Sequence, residues 1–204
     1  MKNIMISGPD GTGKSTIIEA TRQRLVNDKK DMEVVWMRHH HYFAKVVNMF
    51  GRIVGKSYKE RYDWGEIGYH SYKGFMGIIY IISIYLDHLI FSFFLKTKKL
   101  KKDKSYLVDR YILDVVADLI VDTKNDKFVF FLFDKFIKEE LLNFDVFILE
   151  CDVNIVIARR EDIKDDKKYI DKVNVYKIIS DKYNITKLNT GKNSIDEIVQ
   201  QIIQ

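Results

Sequence analysis

The chain has 204 residues, of which 47% are hydrophobic and 31% charged, and it carries a net charge of +5. This composition excludes a disordered chain and predicts one globular domain over residues 1–204, while the modest basic excess suits phosphorylated ligands without predicting nucleic-acid binding. A single cysteine, Cys151, excludes a disulfide framework and a cysteine-based zinc site, and with a first strand that starts at residue 2 it favours a cytoplasmic location.

The first predicted strand, residues 2–6, leads directly into a glycine-rich loop and then a helix over residues 15–27. The loop, Gly8 to Ser15, fits the pattern G-x-x-x-x-G-K-[ST]. Glycines allow successive backbone N–H groups to point at an anion, Lys14 adds positive charge for the β- and γ-phosphates, and the Ser15 hydroxyl can bind Mg²⁺. The order of strand, loop and helix therefore predicts a site for ATP with Mg²⁺. The residues expected to hold this cofactor are Gly8, Asp10, Gly11, Thr12, Gly13, Lys14, Ser15 and Thr16.

A second strand is predicted over residues 33–37, and it leads to Arg38 and the run His39–His41. Three adjacent histidines suggest a metal site. Neighbouring residues of an extended segment point to opposite sides, however, and no acidic or cysteine partner stands at ligand spacing. A polar loop beside the phosphate site is the favoured interpretation, and the role of the histidines is left open.

The longest apolar run covers residues 74–95 and follows a predicted helix at 43–54 and a mobile-looking aromatic and charged region at 58–72. The run is long enough to span a bilayer. It contains Asp87 and His88, however, and one charge near a membrane centre costs about 2.5–3.5 kcal/mol. A buried core helix that presents this polar pair to a cleft is favoured, and no stable membrane insertion is expected. The lysine-rich residues 96–104 are interpreted as a solvated connector.

The rest of the chain alternates between strands and helices. A strand over residues 105–109 ends in Asp109 and is followed by Arg110 and a helix. Further strands are predicted at 144–150 and 185–188, helices at 127–142, 153–160, 169–182 and 194–203, and a loop at 161–168. The last helix is predicted to begin with Ser194 as its cap and Glu197 at the N3 position. The alternation predicts an α/β fold, a P-loop three-layer sandwich in which a central five-stranded parallel sheet has helices on both faces.

Ligands of parallel-sheet enzymes bind beyond the carboxyl ends of the strands, so the P-loop, Arg38 and Asp109–Arg110 are expected at one edge. A carboxylate such as Asp109 can hold Mg²⁺ through water or orient an acceptor. The guanidinium of Arg110 is a fixed fork suited to a second phosphate. The alternative is a local ion pair that only stabilises the loop.

These motifs together resemble the thymidylate kinase family of nucleoside monophosphate kinases. Gly8–Ser15 is similar to the family's P-loop, including an aspartate at the place of Asp10, and Asp109–Tyr111 matches its Asp-Arg-Tyr signature. Ile84–Asp87 resembles the preceding long helix, Arg159–Arg160 stands where a short lid begins, and residues 176–203 follow the same order of elements. The resemblance spans nearly the whole chain.

The resemblance implies transfer of the ATP γ-phosphate to dTMP to give dTDP. It implies that Arg110 grips the acceptor phosphate, that Asp10 lies near the acceptor sugar, and that a lid over residues 159–168 closes over ATP. It also places residues 189–192, including Lys192, near the adenine. The implied catalytic residues are Lys14, Arg110, Arg159 and Arg160; the implied substrate contacts are Asp10, Arg38, Ile84, His88, Asp109 and Arg110; the implied metal ligands are Ser15 and Asp109.

The sequence departs from the family pattern at several acceptor-side positions. Of the common Arg-Glu-Pro-Gly after the second strand only Arg38 remains, and the Asp-Arg pair of the long helix is Asp87–His88 here. Ile84 replaces the aromatic residue that stacks on thymine, and Asp114 and Asp118 replace small or amide and tyrosine side chains. The acceptor is thus left open between a nucleotide, a nucleoside and another small molecule.

A non-catalytic P-loop module is the alternative from another functional class. A GTPase should carry D-x-x-G and N-K-x-D, but Asp109 is followed by Arg-Tyr-Ile and no N-K-x-D occurs. Small-molecule nucleotides are the expected partners. The oligomeric state is left open, with a homodimer as one option.

Overall fold

A computed structural model describes residues 3–28, 32–37, 41–94 and 104–204. The predicted roles of Arg38, His39 and His40 and most of the predicted connector at 96–104 lie outside these residues, as does Lys2. The described strands are β1 (Asn3–Ser7), β2 (Met32–Trp36), β3 (Ser57–Tyr62), β4 (Gly65–His70), β5 (Ser105–Asp109), β6 (Phe144–Glu150) and β7 (Thr186–Asn189). The described α-helices are α1 (Lys14–Asn27), α2 (Phe43–Ile53), α3 (Gly74–Phe94), α4 (Ile112–Thr123), α5 (Asp126–Asn143), α6 (Val153–Arg159), α7 (Tyr169–Tyr183) and α8 (Ile195–Ile203).

The chain divides into two compact units, and both are discontinuous in sequence. Unit 1 comprises Met1–Arg38, Lys101–Asp114 and Phe136–Gln204, and unit 2 comprises His39–Leu100 and Val115–Lys135. The expectation of a single domain over the whole chain stays a prediction.

Unit 1 is built on a five-stranded parallel sheet with the strand order β2-β5-β1-β6-β7. The strands β1 and β5 are short, and their consecutive apolar residues are buried, which is typical of parallel strands covered on both faces. Ile6 of β1 lies beside Asp109 of β5 on one side and Phe147 of β6 on the other. The predicted α/β fold with five parallel strands is confirmed.

Helices α1 and α8 contribute to the core of unit 1. Ile17, Ile18 and Leu25 of α1 pack with Ile198 and Ile202 of α8 against the sheet. The predicted cap of α8 is present as a reciprocal pair: the Ser194 hydroxyl accepts from Glu197 N at 3.3 Å, and Glu197 Oε2 accepts from Ser194 N at 2.7 Å.

Unit 2 contains a β-hairpin where a mobile-looking region was predicted, so that prediction is wrong. Strands β3 and β4 pair antiparallel with Tyr58 opposite Tyr69, and the two rings lie 5.6 Å apart. Glu66 of β4 accepts from Lys59 Nζ at 2.8 Å and from Arg61 Nε at 3.0 Å. Aromatic pairs and opposite charges across strands stabilise such a ladder, and together they order a segment that has no simple apolar periodicity.

Helix α3 of unit 2 confirms the predicted helix and corrects its predicted polar face. It is the one helix in the described residues that is long and apolar enough to cross a membrane, and half of its apolar window is buried inside the protein. Asp87 and His88 are buried, so the expectation that they face a cleft is wrong. The Asp87 carboxylate instead accepts from the backbone N–H groups of Phe43 at 2.8 Å and Ala44 at 3.0 Å, and so caps α2.

A third correction concerns residues 161–168, predicted to be a loop. Glu161–Asp165 forms a 3₁₀ helix between α6 and α7. Its one apolar side chain, Ile163, is buried with Val156 and Tyr169. A single buried residue anchors this turn, and one residue gives no periodicity for a sequence pattern to detect.

Candidate functional site

The loop between β1 and α1 presents backbone amide groups at a helix N-terminus. Gly13 is the N-cap of α1 and has a left-handed conformation with φ of 87°, which favours glycine. Gly13 provides no side chain to cap the first amides, and the first turn contains no acidic residue. Ser15 and Thr16 of this turn are exposed. The loop is therefore arranged as an anion site whose own side chains leave the helix end uncovered.

Lys14 lies inside the curve of this loop. Its ammonium group is buried and donates to the carbonyl oxygens of Gly8 and Pro9, at 2.7 Å in each case. Burial lowers the pKa of Lys14, the charge of Arg110 acts in the same direction, and Asp10, with Nζ to Oδ1 at 3.8 Å, opposes both. Thr12 Oγ1 also donates to Pro9 O, at 2.8 Å, and this bond stabilises the conformation of the loop.

Asp109 ends β5 at the same edge of the sheet. The main chain around it is fixed by two bonds, from Met37 N to Asp109 O at 3.2 Å and from Arg110 N to Ile6 O at 3.2 Å. Its Oδ1 atom is buried and accepts no hydrogen bond from the residues that the structure describes. Burial raises the pKa of Asp109, and the charges of Arg110 and Lys14 oppose this increase. A buried carboxylate oxygen without a donor is suited to a cation or its bound water.

Arg110 joins the end of β5 to the P-loop. Its backbone is left-handed, with φ of 61°, which is uncommon for a residue with a side chain. One arm of the guanidinium donates to Asp10 Oδ1, and the Nη1 atom lies 4.0 Å from Asp114 Oδ1. The P-loop and Asp109–Arg110 thus lie together, as the sheet edge requires, although they are about a hundred residues apart in sequence.

Asp10 and Arg110 stabilise the charged form of each other. Burial acts to raise the pKa of Asp10, but Arg110 and Lys14 together outweigh it, and the pKa is lowered. Burial acts to lower the pKa of Arg110, but Asp10 and Asp114 outweigh it, and the pKa is raised. Asp10 and Arg110 are therefore both charged at neutral pH.

Asp114 is one of the departures from the family pattern, and the sequence left its role open. Its carboxylate is buried on the first turn of α4 and accepts from Ser7 Oγ at 2.8 Å, Tyr111 N at 3.2 Å and Tyr176 Oη at 2.8 Å. Burial raises its pKa, against the charges of Lys14 and Arg110. The signal that could have found it is an acidic residue one helical turn after Arg110, on the first turn of α4.

The two arginines that were predicted to begin a lid, Arg159 and Arg160, have different partners. Arg159 at the end of α6 donates to Thr190 O at 2.9 Å and to Thr190 Oγ1 at 3.3 Å. Thr190 Oγ1 in turn donates to Thr12 O of the P-loop at 2.8 Å. Arg160 forms a local ion pair with Asp162. The structure therefore connects Arg159, through Thr190, to the phosphate loop, and it connects Arg160 to the 3₁₀ helix.

The turn after β7 contains Lys192. Its backbone N–H donates to Asn189 Oδ1 at 3.1 Å, and the neighbouring Gly191 N–H donates to the same oxygen at 2.9 Å. Because Thr190 contacts the P-loop, this turn lies beside the phosphate loop. That placement is compatible with the predicted contact between Lys192 and a nucleotide, which stays a prediction.

Ile84 and His88 were predicted to contact the acceptor. Both belong to α3 of unit 2 and are buried, with His88 Nε2 at 3.0 Å from Ser92 Oγ. Because both side chains are buried, their exposure gives no support to a contact with the acceptor, and this contact stays a prediction. Asp118 is exposed on α4, in the part of that helix that belongs to unit 2.

The donor set fits Mg²⁺ better than a transition metal. The described residues contain no group of three or more histidine, cysteine or acidic side chains that could hold a metal ion. Mg²⁺ requires only one or two protein oxygens when phosphates and water complete its shell. The hydroxyl of the exposed Ser15 and the Asp109 oxygen that has no partner among the described residues are such oxygens.

Comparison with known proteins adds no family assignment. None of the protein-family models searched matches the chain, and no curated protein matches it at a significant level. The chemistry of the site is therefore argued from its residues: a helix end, two cations and an unpartnered carboxylate oxygen, suited to a polyanion with a divalent cation.

Proposed function

We propose that the chain is an ATP- and Mg²⁺-dependent phosphotransferase, a nucleoside monophosphate kinase that transfers the ATP γ-phosphate to dTMP and produces dTDP. The observation that carries the proposal is the hydrogen bond between Arg110 and Asp10 of the P-loop. It places a second cation beside a loop suited to a triphosphate. A protein that only binds a nucleotide needs the loop, whereas phosphoryl transfer between two anions also needs a cation for the acceptor.

In this proposal the P-loop amides and Lys14 bind the β- and γ-phosphates, and Arg110 binds the acceptor phosphate. Bound Mg²⁺ would be held by Ser15 and by Asp109, and it would neutralise charge on the β- and γ-phosphates. Such transfer requires little covalent chemistry from the protein. Positioning two anions against their mutual repulsion supplies most of the acceleration.

Other residues have smaller proposed roles. Asp10 lies beside Arg110 and would contact the acceptor sugar, and Arg38 would assist at the acceptor phosphate. Arg159 would stabilise the transferred phosphoryl group, since its partner Thr190 contacts the P-loop. Arg160 would act as the second lid cation after leaving Asp162. Closure of the lid would exclude water.

The proposed partners of the protein are small-molecule nucleotides, and we propose no binding of nucleic acid. The proposed location is the cytoplasm. Among acceptors we expect dTMP to be preferred and dUMP to be used more weakly, because one methyl group provides only about 1–3 kcal/mol of discrimination.

The test is an ATP-consumption screen of the purified protein against nucleosides, nucleoside monophosphates and sugars. Lys14→Ala should keep the fold and lower turnover by on the order of 10²–10³, the effect of one lost electrostatic donor. Thermal unfolding of both proteins is the control for folding. A Lys14→Ala variant as active as the parent would end the kinase proposal. Phosphorylation of thymidine but not of dTMP would change the acceptor to a nucleoside, and no transfer to any acceptor would favour a binding module.

A further inference from the structure

We propose that Asp114 is a positioning residue that orients Arg110 for the acceptor anion, with Tyr176 and Ser7 holding the carboxylate in place. The inference rests on the proposed function, since it assigns to Arg110 the binding of an acceptor. It concerns a buried carboxylate that no sequence motif explains.

The first observation is that both oxygens of Asp114 are engaged by the protein. Oδ2 accepts from Ser7 Oγ at 2.8 Å and from Tyr111 N at 3.2 Å, and Oδ1 accepts from Tyr176 Oη at 2.8 Å. The residue is only 8% exposed. A carboxylate that is buried and bonded on both oxygens has little capacity left for a substrate, so Asp114 does not contact the acceptor itself.

The second observation is that the donors come from separate parts of unit 1. Ser7 ends β1 and immediately precedes the P-loop, Tyr111 precedes α4, and Tyr176 belongs to α7. A carboxylate fixed from three directions can hold one orientation at little further cost in entropy. Asp114 thereby relates the base of the phosphate loop to the segment that carries Arg110.

The third observation is the place of Arg110 between two carboxylates. One arm of its guanidinium donates to Asp10, and Nη1 lies 4.0 Å from Asp114 Oδ1, the oxygen that Tyr176 holds. Arg110 also has a left-handed backbone, which costs free energy unless its surroundings fix it. Asp10 can exchange its place with an incoming anion, whereas the buried Asp114 stays. Asp114 therefore holds the guanidinium of Arg110 in one orientation while the acceptor binds.

Two variants test the assignment, and a third is the matched control. Asp114→Asn keeps the shape but removes the charge that faces Arg110 and replaces one of the two acceptor oxygens with an NH2 donor. Tyr176→Phe keeps that charge and removes the hydrogen bond from Tyr176 Oη to Asp114 Oδ1. This variant provides the test if Asp114→Asn does not fold. Tyr183→Phe makes the same chemical change on the same helix, seven residues further on.

The kinetic test compares the effect of each variant on the use of the acceptor with its effect on the use of ATP. We expect kcat/KM for the acceptor to fall on the order of tenfold in both variants, the scale of a lost ion pair in Asp114→Asn and of a lost hydrogen bond to a charged group in Tyr176→Phe. KM for ATP should stay at the parent value, and Tyr183→Phe should behave as the parent. A lower unfolding temperature with unchanged acceptor kinetics would reduce Asp114 to a structural residue. Equal losses for ATP and acceptor would also overturn the proposal.

A second readout does not depend on catalysis. In protein labelled with ¹⁵N-arginine, the Nε–H signal of Arg110 is assigned by its loss in Arg110→Ala. We expect it to be ordered in the parent and in Tyr183→Phe, and to become mobile in Asp114→Asn and Tyr176→Phe. Unchanged order in both variants would overturn the positioning role. If the parent transfers no phosphate but the order of Arg110 still depends on Asp114, the proposed function fails and the positioning role stands.

Discussion

At the scale of single residues, the buried carboxylate of Asp109 is expected to lower the stability of the fold, and its proposed role is to bind Mg²⁺. Its Oδ1 atom is buried without a donor from the described residues, and burial raises its pKa above the ordinary 3.8. We expect Asp109→Asn to increase the free energy of unfolding at pH 7 by about 1 kcal/mol, because it removes a desolvated charge. The same variant should lose Mg²⁺-dependent transfer. Urea unfolding and the phosphotransfer assay measure the two effects.

The sign of the pH dependence follows from the raised pKa. A carboxyl group whose pKa is raised in the folded state contributes stability that is present below about pH 3.8 and is lost as the pH rises through the folded-state value. The parent has lost this contribution at pH 7, and Asp109→Asn cannot lose it. The stability difference between the two should therefore shrink as the pH is lowered from 7 towards 4. An equal difference at both pH values would show that ionisation of Asp109 is not the cause.

Arg110 allows its side chain and its backbone to be tested separately. Arg110→Ala and Arg110→Gly both remove the guanidinium, so both should impair the use of the monophosphate far more than ATP binding. Only alanine retains the cost of a left-handed backbone at φ of 61°. The glycine variant should therefore be more stable than the alanine variant by about 1 kcal/mol, as measured by chemical unfolding. Equal stabilities would mean that this conformation is without strain.

At the scale of elements, the P-loop packs against α6 at Gly11. A Cβ atom at Gly11 would lie 2.5 Å from Val156 Cγ1, whereas a Cβ atom at Gly13 would have no described atom within 4 Å. Both glycines have positive φ, of 78° and 87°. Alanine at either position should cost about 1–2 kcal/mol through the backbone, and Gly11→Ala should cost a further 1–3 kcal/mol, roughly, through overpacking.

Val156→Ala provides the matched test of that clash. It should be destabilising in the parent but should recover part of the loss when combined with Gly11→Ala. It should recover nothing when combined with Gly13→Ala. The free energies of unfolding of the five variants, without nucleotide, give the comparison. If Val156→Ala adds the same cost in all three backgrounds, the loop and α6 are not coupled through this contact.

The elements that could be predicted are those with a strong local pattern. Apolar runs identified β1, β5 and β6, and the Ser194 and Glu197 pair identified the start of α8. The hairpin β3–β4 could not be predicted in this way, because its order depends on cross-strand pairs such as Tyr58 with Tyr69. The Asp87 carboxylate caps a helix that starts more than forty residues earlier, and no local pattern shows such a partner.

The site was predictable where its chemistry lies in one motif. The P-loop and the Asp-Arg dipeptide follow from sequence, and the parallel sheet explains why they meet. Asp114 was not assigned, because its meaning depends on Ser7 and Tyr176, which are respectively 107 and 62 residues away from it in sequence. Arg159 was predicted as a lid residue, but its link to the P-loop depends on Thr190, 31 residues further on. The tertiary fold brings these pairs together.

At the scale of the whole molecule, α3 leaves one apolar face exposed. Phe75, Ile82, Leu86, Leu89 and Phe93 follow helical spacing and are 40–78% exposed. The helix has 21 residues and is therefore about 30 Å long. An exposed apolar stripe of this length is typical of an interaction surface, and we propose that two copies of the chain pair through it, the homodimer that the sequence left open.

The dimer is tested by sedimentation velocity at micromolar concentration. We expect the parent to sediment as a dimer and Leu86→Glu to sediment as a monomer, since a charge in an apolar interface loses its hydration. Leu142→Glu, at an exposed apolar position of α5, is the control and should leave the dimer intact. A monomeric parent would contradict the proposal, and so would a Leu86→Glu variant that stays dimeric.

The sheet order has a consequence for how the protein is made. Strand β1 is translated before both of its neighbours in the sheet, β5 and β6, with Ile4 beside Leu107 and Asn3 beside Phe144. The loop that would receive ATP is thus attached to a strand whose two partners are translated more than a hundred residues later. Pairing over such separations is slow because the intervening chain must first be ordered. A nascent chain would therefore acquire nucleotide affinity only after β6 has emerged, so that incomplete chains would not sequester ATP.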